Sequence, residues 1–259
     1  MPELIRSAWS ALDLGAWQAV AALGAVLVGA TISGLTGFGF GLVIVPIMLL
    51  LFPPPTVVVL TSSLAIASGL PILLEDRAHI RVRIISPLLV PALIGLPIGV
   101  QVLTGVDTRI IKLIAGVVVV IFAVLVARGF VIPGIRSRIA PVIAGLSSGI
   151  LGTSTGMSGP PVVLFLTDRT PEPRVFRASI TFYFSLMNLV GILLVVRTGA
   201  VGGREFGIAA VLLPVALLGR RIGQRLHDRV DPDQFRRITY ALLILTGTSG
   251  MVTALAGLL

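Results

Sequence analysis

The chain has no cysteine, which excludes disulfides, thiol nucleophiles and thiolate metal sites. It has only two histidines, His79 and His227, both in charged stretches, so no His/Cys metal centre and no cofactor is expected. Charge is scarce as well. Only 12% of the 259 residues are charged, against about 25% in an average soluble domain. So few charges cannot cover a globular surface, and 56% of the residues are hydrophobic. The solvent of such a chain is lipid. Acidic groups are missing where they would matter most. All eleven Asp and Glu lie in the N-terminal segment or near the ends of apolar runs. Proton-coupled carriers keep an ionisable relay inside the membrane; here only Tyr183 stands as a remote substitute.

What is present is arginine. The net charge of +9 fits either nucleic acid or membrane flanks. The arginines cluster beside apolar runs, the positive-inside pattern, so membrane lipids rather than nucleic acid are the expected partner. Glu3, Arg6 and Asp13 are mixed in sign and no small-residue cleavage pattern follows, so no cleaved signal is expected. Trp9 and Trp17 suit the headgroup layer.

Apolar runs occupy residues 17–33, 38–52, 57–74, 84–103, 110–127, 139–151, 157–167, 178–197, 205–219 and 235–257. Several are long enough to cross a hydrocarbon core of about 30 Å. The runs at 139–151 and 157–167 are shorter, about 16–20 Å as helix, and suit half-helices meeting inside the membrane. Residues 75–83, 128–138, 168–177 and 220–237 carry most of the arginines and read as solvated connections. The last of these is also a candidate contact for anionic lipid.

Residues 34–46 read GLTGFGFGLVIVP, and residues 149–161 read GILGTSTGMSGPP. At a spacing of 115, Gly34 meets Gly149, Gly37 meets Gly152, Gly41 meets Gly156 and Pro46 meets Pro161. Further pairs follow in order. Thr61 and Ser68 match Thr181 and Asn188 at 120; Gly95, Ile98 and Gly99 match Gly219, Ile222 and Gly223 at 124. Val106-Asp107 then matches Val230-Asp231, each aspartate suited to cap the helix that follows. The ordered series indicates duplication: one domain over residues 1–259, with repeat 1 over about 17–127 and repeat 2 over about 139–257.

Charge chooses the topology. If each glycine-interrupted run crosses once, the repeats are parallel and the arginines scatter over both sides. If each run is a hairpin, the repeats are inverted and 15 of the 20 Lys and Arg residues share one side. The positive-inside rule selects hairpins, with both termini outside. The expected fold is therefore an all-α integral membrane protein of two inverted repeats. Each has a glycine-broken helix hairpin and three transmembrane helices, about 8–10 membrane segments in all. The two hairpin tips would face one another near the midplane, a recurring transporter plan.

The tips carry the expected chemistry. Each exposes the N-terminus of its second helix, where free N–H groups and the helix dipole favour an anion. The first offers Thr36, Gly37, Phe38, Gly39 and Gly41. The second offers Gly152, Thr153, Ser154, Thr155, Gly156 and Ser158, with Pro160 and Pro161 in a helical first turn. The same glycines and hydroxyls also permit tight helix packing with no ligand at all. Thr61, Ser62, Ser63 and Ser68 on one span, and Thr181, Tyr183, Ser185 and Asn188 on its counterpart, are candidates to line the same cavity. Asn188 is the most polar of them. For single Ser and Thr residues, back-bonding to their own helix competes. These residues describe a carrier whose small anionic substrate is held by neutral donors and helix ends, without proton or sodium coupling. An interior-negative membrane favours export of an anion by about 2.3 kcal/mol per charge per 100 mV.

The tips GLTGFGFGLVIVP and GTSTGMSGPPVV, the duplication and the length resemble the TauE/SafE family of sulfite exporters, over about residues 17–257. The resemblance implies a bacterial inner-membrane protein that exports sulfite, thiosulfate or an organosulfonate such as sulfoacetate. Phe38 and Phe40 stand where related sequences tend to be richer in glycine, which leaves the substrate open. A competing reading is a membrane-embedded enzyme acting on a lipid phosphate. It needs a buried acid or base with an arginine or metal, and neither tip segment contains Glu, Asp, His or Arg. A third is an anion channel or a structural subunit. The oligomeric state is not legible.

Overall fold

The computed structural model describes residues 15–127, 137, 139–167 and 172–227. The described residues form nine α-helices and one 3-10 turn. In chain order the helices are α1 (Ala16–Thr36), α2 (Phe40–Leu51), α3 (Pro54–Glu75), α4 (Val82–Gly105), α5 (Thr108–Ala127), α6 (Ala140–Thr155), α7 (Gly159–Thr167), α8 (Pro173–Arg197) and α9 (Gly203–His227). Each covers one of the apolar runs. The run at 235–257, with Asp231 and its cap, lies outside the described residues. Asp107 does cap α5: its Oδ1 accepts from the Arg109 N–H at 2.7 Å. Five helices, α1, α3, α4, α8 and α9, are long and apolar enough to cross a bilayer. Leucines, isoleucines and valines such as Leu70, Leu74, Val90, Ile94 and Leu193 are exposed on their outer faces, as lipid contact requires. The chain is an all-α, multi-pass membrane protein.

Both glycine-rich stretches break the helix. α1 ends at Gly37 (φ +82°), Gly39 follows (φ +88°), and α2 starts at Phe40. α6 ends at Gly156 (φ +81°) and α7 starts at Gly159. A side chain in this left-handed region clashes with its own backbone, so glycine is the residue that permits each stop. The second helices are short. α2 has 12 residues and α7 has nine, about 18 and 14 Å.

Glycine also sets the main helix contacts. α4 packs on α6, and α9 on α1, with backbone touching backbone. A Cβ on Gly95 would lie 2.4 Å from Leu146 O and 3.0 Å from Ile150 N. A Cβ on Gly223 would lie 2.0 Å from Thr31 O and 3.0 Å from Leu35 N. Likewise Gly149 would meet Ala92 O at 2.2 Å, and Gly34 would meet Arg220 O at 2.4 Å. Small residues of this kind let membrane helices approach closely and gain dispersion contact. In these contacts Gly95 corresponds to Gly223 and Ala92 to Arg220, a spacing of 128. The pairing of Gly95 with Gly219 at 124 is thus one helical turn short. Both helices carry glycine four residues apart, so a one-turn slip keeps glycines aligned and sequence cannot see it.

The connection expected at 220–237 is also revised. α9 continues to His227, so Arg220, Arg221 and Arg225 are helical. Leu212, Ala216, Arg220 and Gly223 fall on its buried face, while Arg221 and Arg225 are exposed. Arg220 therefore lies inside the protein, 4% exposed, rather than in a solvated loop.

If the glycine contacts hold α4 on α6, Gly149→Val destabilises the detergent-solubilised protein by about 1–3 kcal/mol, read as a lower thermal midpoint. Gly24→Ala, where a Cβ meets nothing within 4 Å, leaves the midpoint unchanged.

Candidate functional site

The two helix breaks meet. A Cβ on Gly41 would lie 2.6 Å from Gly156 O, and one on Gly156 would lie 3.2 Å from Thr61 Oγ1. Beside this contact lies a cavity of about 60 Å³, closed by both breaks and by faces of α3, α8 and α9. Of the residues expected at the site, Gly37, Phe38, Gly39, Gly41, Gly156, Ser158 and Asn188 line it. Thr61, Ser62, Thr181 and Ser185 also face it. Asn188 reaches across to α3, its Oδ1 accepting from Ser62 Oγ at 3.4 Å. Gly152 and Thr153 line a smaller adjoining recess with Ser158 and Asn188.

The other hydroxyls work within the backbone. Thr36 Oγ1 lies 2.9 Å from Ile32 O and 2.8 Å from Phe38 O, and accepts from the Phe38 N–H at 3.2 Å. It therefore holds the first helix break in shape. Thr153 Oγ1 donates to Leu96 O at 2.7 Å and sits 3.1 Å from Gly149 O. Thr155 back-bonds to Leu151 O at 2.8 Å, and Thr61 to Val57 O. Ser154 is buried and does not reach the cavity. Tyr183, Ser63 and Ser68 are not in the lining either. Tyr183 Oη donates to Ser148 Oγ at 3.1 Å, and Ser148 Oγ to Ser158 O at 2.8 Å. That chain fixes the second break from behind.

Several hydrogen-bond donors belong to residues of the cavity wall. The N–H groups of Phe40, Gly41 and Leu42 precede the first intrahelical bond of α2, from Val43 N to Gly39 O at 3.2 Å, and no side chain caps them. Such orphan N–H groups at a positive helix end favour an anion. Thr181 Oγ1 is buried with no hydrogen-bond partner among the described residues. Arg220 completes the wall. Its Nη1 donates to Ser68 Oγ at 3.2 Å, and its Nε has no partner among the described residues. The expectation of a site made only of neutral donors and helix ends is therefore corrected: a guanidinium is present. The signal was in the sequence. Leu212, Ala216 and Arg220 recur every four residues on α9, the face that Gly223 continues.

A second arginine stands behind the first break. The Arg177 side chain packs against Gly37, whose added Cβ would lie 2.8 Å from Arg177 Cγ. Phe176 meets Phe38 edge-on at 6.2 Å. Arg177 Nη2 then donates to Asp76 Oδ2 at 2.9 Å, and Arg174 Nε to Asp76 Oδ1 at 3.0 Å. Asp76, only 2% exposed in its side chain, thus clasps α3 to the start of α8 below the first break.

Residues 21–250 match the family described as Sulfite exporter TauE/SafE. The chain belongs to the TauE/SafE family. It is accordingly a membrane transporter and not an enzyme. The chain is also 25% identical over 228 residues to the probable sulfite/organosulfonate exporter TauE of Cupriavidus necator, covering 86% of this chain and 89% of that one. No solved structure matches the chain. The TauE/SafE match takes in both helix breaks, the Asp76 clasp and Arg220.

The clasp has a defined pH response. Burial alone would raise the Asp76 carboxyl, but the hydrogen bonds and charge of Arg177 and Arg174 outweigh it and hold it below its ordinary 3.8. A carboxyl lowered in the folded state contributes fully above that ordinary value, and the contribution is lost as pH falls through the lowered one. Asp76→Ala leaves two guanidinium groups facing a gap and costs about 3 kcal/mol at neutral pH. The difference from wild type closes as thermal unfolding is followed below pH 3.8.

Proposed function

We propose that this transporter exports a small sulfur-containing anion, sulfite or a compact organosulfonate, by alternating access around the two helix breaks. The observation that carries the reading is their contact at Gly41 and Gly156 beside a cavity walled by donors. Inverted repeats over about 17–127 and 139–257 give the contact its logic. In that arrangement the α4–α6 and α9–α1 contacts are counterparts, and their matching glycine partners support the pairing. Rocking one half against the other would then open the same site to each side in turn. Hairpin topology with both termini outside, in the bacterial inner membrane, keeps the arginine-rich connections in the cytoplasm.

Size and chemistry narrow the substrate. A space of 60 Å³ holds on the order of four water-sized groups, which is the scale of a sulfite ion. A sulfonate with a longer tail needs the cavity to widen. The printed description of the Cupriavidus necator relative, a probable sulfite/organosulfonate exporter, agrees with that class. No Asp, Glu or His lines the cavity among the described residues, and Tyr183 is tied to Ser148. In this reading the membrane potential is the driving force.

Flux in proteoliposomes at a set membrane potential and no pH gradient tests the reading, with sulfite, sulfoacetate, taurine and phosphate compared. Saturable, voltage-sensitive movement of sulfite is expected. Movement that requires a proton or sodium gradient would overturn the uncoupled mechanism, and no movement of any sulfur anion would overturn the substrate class. Gly37→Leu and Gly152→Leu are expected to insert normally and transport nothing; wild-type flux in both removes the breaks from the mechanism. Asn188→Ala raises the half-saturation roughly threefold to tenfold.

A further inference from the structure

We propose that Arg220 is the residue that recognises the substrate's charge, and that the site accordingly takes one net negative charge at a time. The inference rests on the transport reading above and adds to it the identity and number of the charges. Arg220 is 4% exposed and lies on α9 within an apolar span of 24 residues. Among the described residues no carboxylate lies within ion-pair distance of it; Asp76 is taken by Arg174 and Arg177. An ion buried without a counter-ion is strongly unfavourable, and a protein retains one where a ligand supplies the opposite charge. Among the described residues neither Arg220 Nε nor Thr181 Oγ1 has a hydrogen-bond partner, both residues line the cavity, and both approach Gly69, at 3.8 Å from Arg220 Nη1 and 3.2 Å from Thr181 Cγ2 to its added Cβ. Phe40, Gly41 and Leu42, whose N–H groups begin α2 without intrahelical partners, line the same space. An oxyanion there accepts from a guanidinium, a hydroxyl and a helix end together.

The charge count follows from what else is near. Arg177 packs on Gly37, one turn along α1 from Gly34, where Arg220 packs. Arg177 shares the single carboxylate of Asp76 with Arg174, whose side chain is 63% exposed and therefore screened by solvent. Among the described residues, Arg220 is then the one charged side chain that lines the cavity, and it has no carboxylate partner. A monoanion neutralises it; a dianion leaves one negative charge in a low-dielectric site. The arrangement is also one-sided. The position that corresponds to Arg220 in the α4–α6 contact is Ala92, whose carbonyl meets Gly149 as that of Arg220 meets Gly34. The breaks and their glycines recur in both halves of the chain, whereas the guanidinium occurs in one.

The test uses the purified full chain with methanesulfonate as a fixed monoanion, sulfate as a dianion of similar size, and sulfite at two pH values. Binding is measured by calorimetry and transport in proteoliposomes. Wild type is expected to bind methanesulfonate independently of pH, to bind sulfite more tightly as lower pH converts it to hydrogensulfite, and to bind sulfate at least tenfold more weakly. Arg220→Gln removes a buried charge and is expected to fold. It should weaken methanesulfonate binding about 10- to 100-fold while maximal flux at saturation persists, and Arg220→Lys should recover part of the loss. Unchanged methanesulfonate affinity in Arg220→Gln, or sulfate binding as tight as methanesulfonate, overturns the proposal. Anion binding that depends on Arg220 without any flux would overturn the transport reading and leave the recognition role of Arg220 standing.

Discussion

Everything in this structure depends on two places where a helix stops inside an apolar environment. Backbone that leaves the helix there has N–H and C=O groups that lipid cannot satisfy. The chain resolves this by turning with glycine and by placing the two breaks against one another. Gly37, Gly39 and Gly156 adopt the left-handed conformation, and Thr36 and Ser148 bond the backbone around the turns. The orphan groups that remain face a cavity rather than lipid. Glycine contacts between α4 and α6, and between α9 and α1, then hold the long helices close enough to enclose the breaks. Removing that enclosure would expose the unsatisfied backbone, so packing and site are one requirement.

Polarity in the interior is divided between holding shape and meeting a ligand. Most Ser and Thr hydroxyls near the breaks donate to backbone carbonyls, as Thr153 does to Leu96 and Thr155 to Leu151. Few groups are left over, among them Thr181 Oγ1 and Arg220 Nε. That economy gives the cavity its character. The two arginines near the first break also differ. Arg177 shares Asp76 with Arg174 and ties α3 to α8, while among the described residues Arg220 donates to the hydroxyl of Ser68 and to no carboxylate. One acts as part of a clasp and the other lines the cavity.

Much was legible in the sequence because it depends on local pattern. The apolar runs set the helices, since lipid demands continuous hydrophobic length, and nine of the ten fall on described helices. The glycines set the breaks, since only they relieve the left-handed turn. Seven of the twelve residues expected at the site line the main cavity. What sequence could not decide was which way each polar side chain turns. Thr36 and Thr155 look equivalent to Ser158 in a row of letters, yet their oxygens are taken by their own helices. Arg220 and Arg221 both follow an apolar run, and the four-residue spacing of Leu212, Ala216 and Arg220 sets them on different faces without saying which face is buried. Only the packing of α9 against α1 turns one inward and leaves the other exposed. Charge along the chain thus determined that this is a membrane protein. Helix rotation, a tertiary quantity set by glycine contacts, decided which of the described charges meets the cavity.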